Sequence, residues 1–288
     1  MVADYYNATW VSYSSIADFL LCPRLYYLKH LYRHSETNHK IKIITPPLTL
    51  GQAVHETIEG ISRLPKDNRF EESLVVKFDN LWKEKFSGKR GGFWNKSVEQ
   101  KYKKKGRVML ERVVKKPGPL KNLAVKIKDN KLPHFWLSKE EEIILCGKLD
   151  WLEYLPDSDS VHIIDFKTGQ NKINNDSLQL PIYYLLASHC QEKEVSKTSY
   201  WYLALDNYPE EIELSSLHEV EKTVLEIAKK IKLARAMEKF ECSQGGCRWC
   251  QPYERVAAGE GEKIGVGEYG ADLYILPLEK KDNDSEIL

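Results

Sequence analysis

The chain has 288 residues, a formal net charge of +1, 42% hydrophobic residues, and seven Trp, sixteen Tyr and eight Phe. This composition is typical of a globular protein and excludes a disordered chain, and the length suits one large domain or two small ones. No apolar run approaches the roughly eighteen residues of a transmembrane helix, and no signal-peptide pattern opens the sequence, so we expect a cytoplasmic protein with no membrane partner.

The N-terminal third is predicted to be helical. Ser12 offers an N-cap for a first helix, and the proline that follows Cys22 predicts a break or kink there. Residues 45–47, which include two prolines, are interpreted as a linker, and residues 49–59 as a second helix. Residues 70–116 are predicted to be mainly helical and to end at a Pro-Gly-Pro sequence.

A strongly basic segment lies among these helices. Residues 83–131 carry seventeen Lys or Arg against four Asp or Glu, a local net charge of +13. Such a segment is either the solvated face of a helix or a surface that contacts nucleic-acid phosphates. The interleaved aromatic residues Phe93, Trp94 and Tyr102 suit the second interpretation.

Two acids and a lysine follow in a region with the pattern of buried strands. Asp150 ends one apolar run, and Asp165 and Lys167 lie on the next, with fourteen residues between the two acids. Because side chains alternate along a strand, Asp165 and Lys167 point the same way and Phe166 points into the core. Two carboxylates can hold a hard cation such as Mg²⁺, and a lysine can orient water or stabilise developing negative charge. The pattern favours attack of water on a phosphodiester over a surface hairpin with a weak salt bridge.

The remaining predicted elements alternate between helix and strand. They are a helix at 178–190, strands at 200–205 and 211–214, and a long amphipathic helix at 216–239. Helices followed by strands with a helix between them favour a mixed α/β core of the nuclease type.

Four motifs occur together, in a fixed order. They are the S-x-S-x-I-x-x-F-x-x-C-P-x-x-Y stretch at 12–26, G-x-x-x-H at 51–55, G-x-L-D at 147–150 with D-x-K-T-G at 165–169, and Q-x-x-x-Y at 179–183. Together they resemble the RecB-like branch of the PD-(D/E)XK nucleases, which includes AddB-type helicase–nuclease subunits and CRISPR-associated RecB-like exonucleases.

The resemblance implies a restriction-endonuclease-like PD-(D/E)XK core, in which a central mixed sheet is flanked by helices. We accordingly expect residues 1–256 to form a single nuclease domain. A basic helical insertion would occupy about 70–137, and 257–288 would form a C-terminal tail. The acidic composition beyond Gly259 also predicts that residues 280–288 are disordered.

The resemblance also implies metal-binding and catalytic roles. Asp150 and Asp165 would bind Mg²⁺ or Mn²⁺, with the Phe166 carbonyl as a further oxygen ligand. His55 would be a nitrogen ligand, which suits Mn²⁺ better than Mg²⁺. Lys167 would position the nucleophilic water.

Gln179 and Tyr183 are the last pair with an implied role. They are four residues apart and so lie on one helix face, from which they would approach DNA or brace the site. Without the resemblance, Tyr183 would be interpreted as a packing residue and His55 as a packed or exposed helix histidine.

A cysteine-rich segment lies near the C-terminus. Cys242, Cys247 and Cys250 form a C-x4-C-x2-C pattern, which is typical of metal binding in a reducing compartment. The resemblance implies a [4Fe–4S] cluster held by these three and Cys22. The family's C-terminal triplet usually runs C-x2-C-x5-C, whereas here Val256 stands at the last position. Zinc bound by four sulfurs, or no metal, are the alternatives.

The predicted function is a metal-dependent DNA nuclease, an exonuclease on single-stranded DNA ends in repair, recombination or CRISPR adaptation. Because the sequence contains no helicase P-loop, unwinding would require a helicase or CRISPR-adaptation protein as partner. The alternative is a non-catalytic DNA-binding or scaffold module of a helicase–nuclease complex. The intact Asp150, Asp165 and Lys167 weigh against it.

Overall fold

The computed structural model of the chain describes residues 5–127, 132–174, 176–213 and 216–277. Its helices are α1 (Tyr13–Leu21), α2 (Pro23–Tyr26), α3 (Pro46–Ser62), α4 (Leu74–Leu81), α5 (Lys96–Lys115), α6 (Gln179–Cys190), α7 (Leu217–Ala236) and α8 (Gln251–Ala257). Its strands are β1 (Thr9–Val11), β2 (Ile41–Ile43), β3 (His134–Ser138), β4 (Ile143–Cys146), β5 (Trp151–Leu155), β6 (Ser160–Lys167), β7 (Glu194–Tyr202), β8 (Glu210–Ile212), β9 (Glu262–Val266) and β10 (Asp272–Ile275).

A four-stranded mixed sheet, in the order β5-β6-β7-β8, separates two groups of helices. β5 and β6 form an antiparallel hairpin, whereas β6 and β7 are parallel because α6 carries the chain back between them. Side chains of α6 pack on one face of this sheet, and those of α3, α4 and α5 pack on the other. The prediction of a mixed α/β core is therefore confirmed.

The basic helix α5 packs closely against α4. A Cβ atom on Gly106 would lie 2.4 Å from the Phe78 ring, so a glycine is needed where the two helices meet. Leu110, one turn further on, is fully buried in the same core as Phe166 and Trp201 of the central sheet. One face of α5 is thus part of the core, and its charges lie on the other face.

A second sheet has the order β1-β4-β3 and packs against α6 and α7. Val11, Ile143 and Leu145 on its inner face contact the apolar side chains of these helices. The capping box formed by Ser12 and Ser15 begins α1 directly after β1. As predicted, α1 ends at Cys22, whose extended backbone precedes Pro23 at the start of α2.

The third sheet, β2-β10-β9, contradicts the predicted C-terminal tail. β10 pairs in parallel with β2 and antiparallel with β9, so residues 262–275 belong to a sheet. Four of these fourteen residues are charged, yet Tyr274 and Ile275 are buried, and no local pattern indicated that the segment belongs to a sheet. The segment predicted to be disordered, 280–288, lies outside the described residues.

Two further boundaries differ from the sequence predictions. The predicted linker at 45–47 contributes Pro46 and Pro47 to the first turn of α3, where a missing backbone N–H costs nothing. The strand predicted at 200–205 begins six residues earlier, at Glu194, and ends at Tyr202. None of the described helices is both long enough and apolar enough to cross a bilayer.

Candidate active site and cysteine cluster

The hairpin register brings the two predicted catalytic acids together. Trp151 of β5 lies opposite Ile164 of β6, so Asp150, just before β5, lies next to Asp165. Oδ2 of Asp150 accepts a hydrogen bond from the Phe166 backbone N–H at 3.0 Å. The two carboxylates are therefore held at one end of the hairpin.

Lys167 lies beside Asp165, as strand alternation predicted. Its ammonium group forms an ion pair with Oδ2 of Asp165 and donates to Oε1 of Gln179 at 2.6 Å. Gln179 Nε2 donates to Oδ1 of Asp165 at 2.8 Å and lies 3.2 Å from the Tyr183 hydroxyl. Gln179 thus bridges Lys167 and Asp165, and its amide nitrogen also contacts the Tyr183 hydroxyl.

His55 reaches the site from α3. Its Nδ1 lies 3.3 Å from Oδ2 of Asp150, and its ring packs edge-on against Phe166. One turn earlier, a Cβ on Gly51 would approach the Thr168 hydroxyl to 3.3 Å, so a glycine lets α3 lie close to the end of β6. The G-x-x-x-H motif therefore combines a contact point with a side chain directed at the acids.

Glu59 is a candidate site residue that sequence reasoning missed. It lies one turn after His55 on the same face of α3. Ligand atoms of His55, Glu59 and Asp150 lie within 4.8 Å of one another, a spacing suited to a metal ion. The four-residue spacing from His55 was the available signal, but this spacing is common on helices.

The electrostatics of the site show an excess of negative charge. Burial, together with the nearby Asp150 carboxylate, raises the pKa of Asp165 to about 7, although Lys167 opposes the shift. Burial alone would lower the pKa of His55, but Asp150, Asp165 and Glu59 outweigh it and raise that pKa. A divalent cation would relieve this excess, so the donor set fits Mg²⁺ or Mn²⁺.

The site residues predicted from the sequence line one open cavity of about 340 Å³. Its walls include His55, Asp150, Asp165, Phe166, Lys167, Gln179 and Tyr183. The Phe166 ring is buried beneath the cavity, so its backbone is the part of this residue beside the acids. Every residue predicted for the metal and catalytic site is therefore brought to the same place.

A second cluster joins the two ends of the fold. The sulfur atoms of Cys22, Cys242, Cys247 and Cys250 all lie within 4.8 Å of one another. Cys22 ends α1, and the other three occupy the loop before α8. Val256, at the position where the family pattern has cysteine, packs instead among residues of the third sheet.

The cysteines differ in acidity. A hydrogen bond from the Cys250 backbone lowers the pKa of Cys247 to about 7, whereas burial raises the pKa of Cys250 to about 12. Four sulfurs so close together are typical of a metal site. A metal bound there would be held by the cysteines as thiolates. Cys146 and Cys190 lie outside this group, and burial raises the pKa of both.

The peak of the basic segment lies on the outer face of α5. Lys101, Lys104 and Lys105 are exposed, whereas Lys103 is partly covered and pairs with Asp79 at 3.1 Å. The aromatic residues predicted to accompany these charges have different surroundings. Phe93 is buried in the core, Tyr102 is half-buried against that core, and Trp94 is exposed.

A search of curated proteins returns no match to the chain. The family model described as the PD-(D/E)XK nuclease superfamily matches residues 10–256, which include all four motifs, both acids, Lys167 and the four clustered cysteines. This match covers most of the chain and accords with the paired acids and lysine at the end of the β5–β6 hairpin. The chain belongs to the PD-(D/E)XK nuclease superfamily.

Proposed function

We propose that this protein is a Mg²⁺- or Mn²⁺-dependent deoxyribonuclease of the RecB-like branch, acting as an exonuclease on single-stranded DNA ends. The observation that carries the proposal is the convergence of His55, Asp150, Asp165 and Lys167 on one cavity. A non-catalytic module has no need for the buried Asp165 carboxylate beside a second acid and a lysine, since buried charge is costly to keep.

Each residue has a distinct part in the proposed reaction. Asp150, Asp165 and His55 would hold the cation, with Glu59 beside them and the Phe166 carbonyl as a further oxygen ligand. The bound ion would neutralise phosphate charge and acidify a water molecule. Lys167 would orient the attacking water, and Gln179 would keep the lysine directed at the acids through its 2.6 Å hydrogen bond.

The proposed domain organisation and cellular setting are those expected from the sequence, except where the structure corrects them. Residues 1–256 would form one nuclease domain together with β9 and β10, which join it through their sheet with β2. Helices α4 and α5 would lie in a basic insertion at about 70–137 whose exposed lysines contact DNA phosphates. The proposed setting is DNA repair, recombination or CRISPR adaptation in the cytoplasm, with a helicase or CRISPR-adaptation protein as partner. The RecB-like motifs support this setting.

The cysteine cluster would hold a metal centre that clamps α1 to the C-terminal loop. The resemblance favours a [4Fe–4S] cluster. The 3.7 Å between the sulfurs of Cys247 and Cys250 is also close to the roughly 3.8 Å expected around one tetrahedral ion with metal–sulfur bonds of about 2.3 Å. Metal and sulfide analysis distinguishes the two.

Cleavage of labelled DNA tests the proposed activity. Purified protein is incubated with end-labelled linear and with circular single strands, in Mg²⁺, in Mn²⁺ and in EDTA. We expect metal-dependent degradation of the linear strand and survival of the circle. Cleavage of the circle would contradict the exonuclease assignment, and intact DNA in both metals would contradict nuclease activity. Duplex DNA and RNA of the same sequence test the substrate preference.

A further inference from the structure

An aromatic cluster covers the outer face of the β1-β4-β3 sheet. Trp10 and Trp136 both lie opposite Ile144 in the strand register, one on each side of it. Their ring planes are bridged by Tyr5, whose centroid is 6.3 Å from Trp10 and 5.0 Å from Trp136. His134 completes the cluster at 5.1 Å from Trp10. We call these four residues the aromatic face.

The aromatic face is accessible rather than part of a core. Trp10 is 37% exposed and Tyr5 is 47% exposed, and His134 and Trp136 are half-buried. The opposite face of the same sheet packs against α6 and α7, so the hydrophobic core does not need these rings. Large rings held in place by a sheet and open to solvent are suited to stacking on nucleobases.

A cavity that begins beside the aromatic face reaches the candidate active site. Next to His134, the Pro133 carbonyl accepts a hydrogen bond from the Gly147 backbone N–H at 3.0 Å. Pro133 and Asp150 line the same cavity of about 800 Å³. Three exposed cations also line it, namely Arg63, Lys126 and Lys148. The cavity therefore extends from Pro133, the neighbour of His134, past basic groups to Asp150.

We propose that the aromatic face is a binding platform for single-stranded nucleic acid, whose bases stack on Trp10, Trp136 and Tyr5 while the strand passes Arg63, Lys126 and Lys148 to reach Asp150. The aromatic rings and the neighbouring cations together identify the class of ligand. Stacking requires unpaired bases, and the cations complement a phosphate backbone rather than an apolar protein partner. The platform deepens the proposed nuclease function and rests on it for the direction of the strand.

Binding is measured without cleavage, so that the two proposals can fail separately. Oligo(dT) is titrated in EDTA against wild-type protein and against a Trp10→Ala, Trp136→Ala double variant, with affinity read by anisotropy of a labelled oligonucleotide. We expect the double variant to bind about tenfold or more weakly, because loss of a base–aromatic stack has effects of this size. A Trp10→Phe, Trp136→Phe variant, which keeps both rings, should remain within about threefold of wild type.

Two more variants are added. One tests the platform without changing a strand, and the other tests whether loss of any exposed tryptophan weakens binding. Tyr5 precedes β1, so Tyr5→Ala leaves the strands intact and should weaken binding even if the double variant does not fold. Trp249 is 42% exposed on the cysteine loop, and Trp249→Ala should bind as wild type does. Wild-type affinity in Tyr5→Ala and in the folded double variant would overturn the platform. Platform-dependent binding without cleavage in any metal would overturn the nuclease proposal instead.

Discussion

The backbone N–H of Phe166 donates a hydrogen bond to Oδ2 of Asp150 across 3.0 Å. This bond joins the acid before β5 to the residue between Asp165 and Lys167 on β6. Strand alternation sends the Phe166 ring into the core, and hairpin pairing brings Asp150 to its backbone. One hairpin therefore sets the relative positions of both acids and the lysine.

The first prediction concerns two of these side chains, Asp165 and Lys167. Asp165→Asn and Lys167→Ala should each lower metal-dependent DNA cleavage by at least about 100-fold, because one removes a metal-binding charge and the other the group that orients water. Cleavage rates at saturating metal provide the measurement. Lys193→Ala, which removes a surface lysine paired with Asp159, should retain full activity. Undiminished cleavage by Asp165→Asn would remove the proposed site.

The second prediction concerns Glu59. If it lies beside the cation, Glu59→Gln should raise the Mn²⁺ concentration needed for half-maximal cleavage by about 10- to 100-fold. The Mn²⁺ titration should still approach a measurable plateau, because Asp150 and Asp165 remain. Glu56→Gln is the matched control, since Glu56 lies on the same helix but pairs with Lys85 at 2.9 Å. Identical titrations for the two variants would assign Glu59 to the ion pair with Lys148 alone.

The difference between Glu59 and Asp165 shows what the sequence could predict. Alternation along β6 was sufficient to place Asp165 and Lys167 on one side, and the motifs indicated His55, Gln179 and Tyr183. Glu59 becomes a neighbour of Asp150 only when α3 packs against the hairpin, a tertiary contact that no local pattern encodes. For the same reason β9 and β10 were missed, because β10 pairs with β2, more than 200 residues earlier in the chain, and β9 joins the sheet through β10.

The third prediction concerns the basic face of α5. Charge reversal of the exposed Lys101, Lys104 and Lys105 should weaken DNA binding and flatten its salt dependence. For single strands, each lost phosphate contact should reduce the slope of log K against log salt by about 0.7. Lys103 is left unchanged because it pairs with Asp79. Reversing the exposed Lys222 and Lys230 on α7 is the control. Equal slopes for wild type and the α5 variant would make this face an ordinary solvated surface.

The fourth prediction concerns the cysteine cluster. Because metal binding contributes directly to folding, Cys247→Ser should lose the bound metal and lower Tm by roughly 5–10 °C. Anaerobically purified protein is analysed for iron, acid-labile sulfide and zinc, and its thermal unfolding is followed by circular dichroism. Cys146→Ser, at a buried thiol outside the cluster, should keep the metal. Substoichiometric iron and zinc in the wild-type protein would show that the four residues are ordinary thiols.

The last prediction concerns Asp272, which is fully buried in the third sheet. Burial would raise its pKa, but Lys263 at 2.7 Å, Thr37 at 2.6 Å and His39 at 3.0 Å outweigh this and hold the pKa well below its usual range. Because the pKa is lower in the folded state, this carboxylate stabilises the fold at neutral pH, and its contribution is lost as pH falls below the unfolded value of about 3.9.

Asp272→Asn should therefore lower the free energy of unfolding by about 2 kcal/mol at pH 7, the size expected for hydrogen bonds to a buried charge. The difference from wild type should shrink towards pH 3, because the stability that the wild-type carboxylate contributes begins to be lost there. Urea unfolding at the two pH values measures both quantities. Asp159→Asn is the control, because its ion pair with Lys193 is exposed and such pairs contribute little. An equal loss of stability at pH 7 and pH 3 would mean that Asp272 acts through packing and not through its charge.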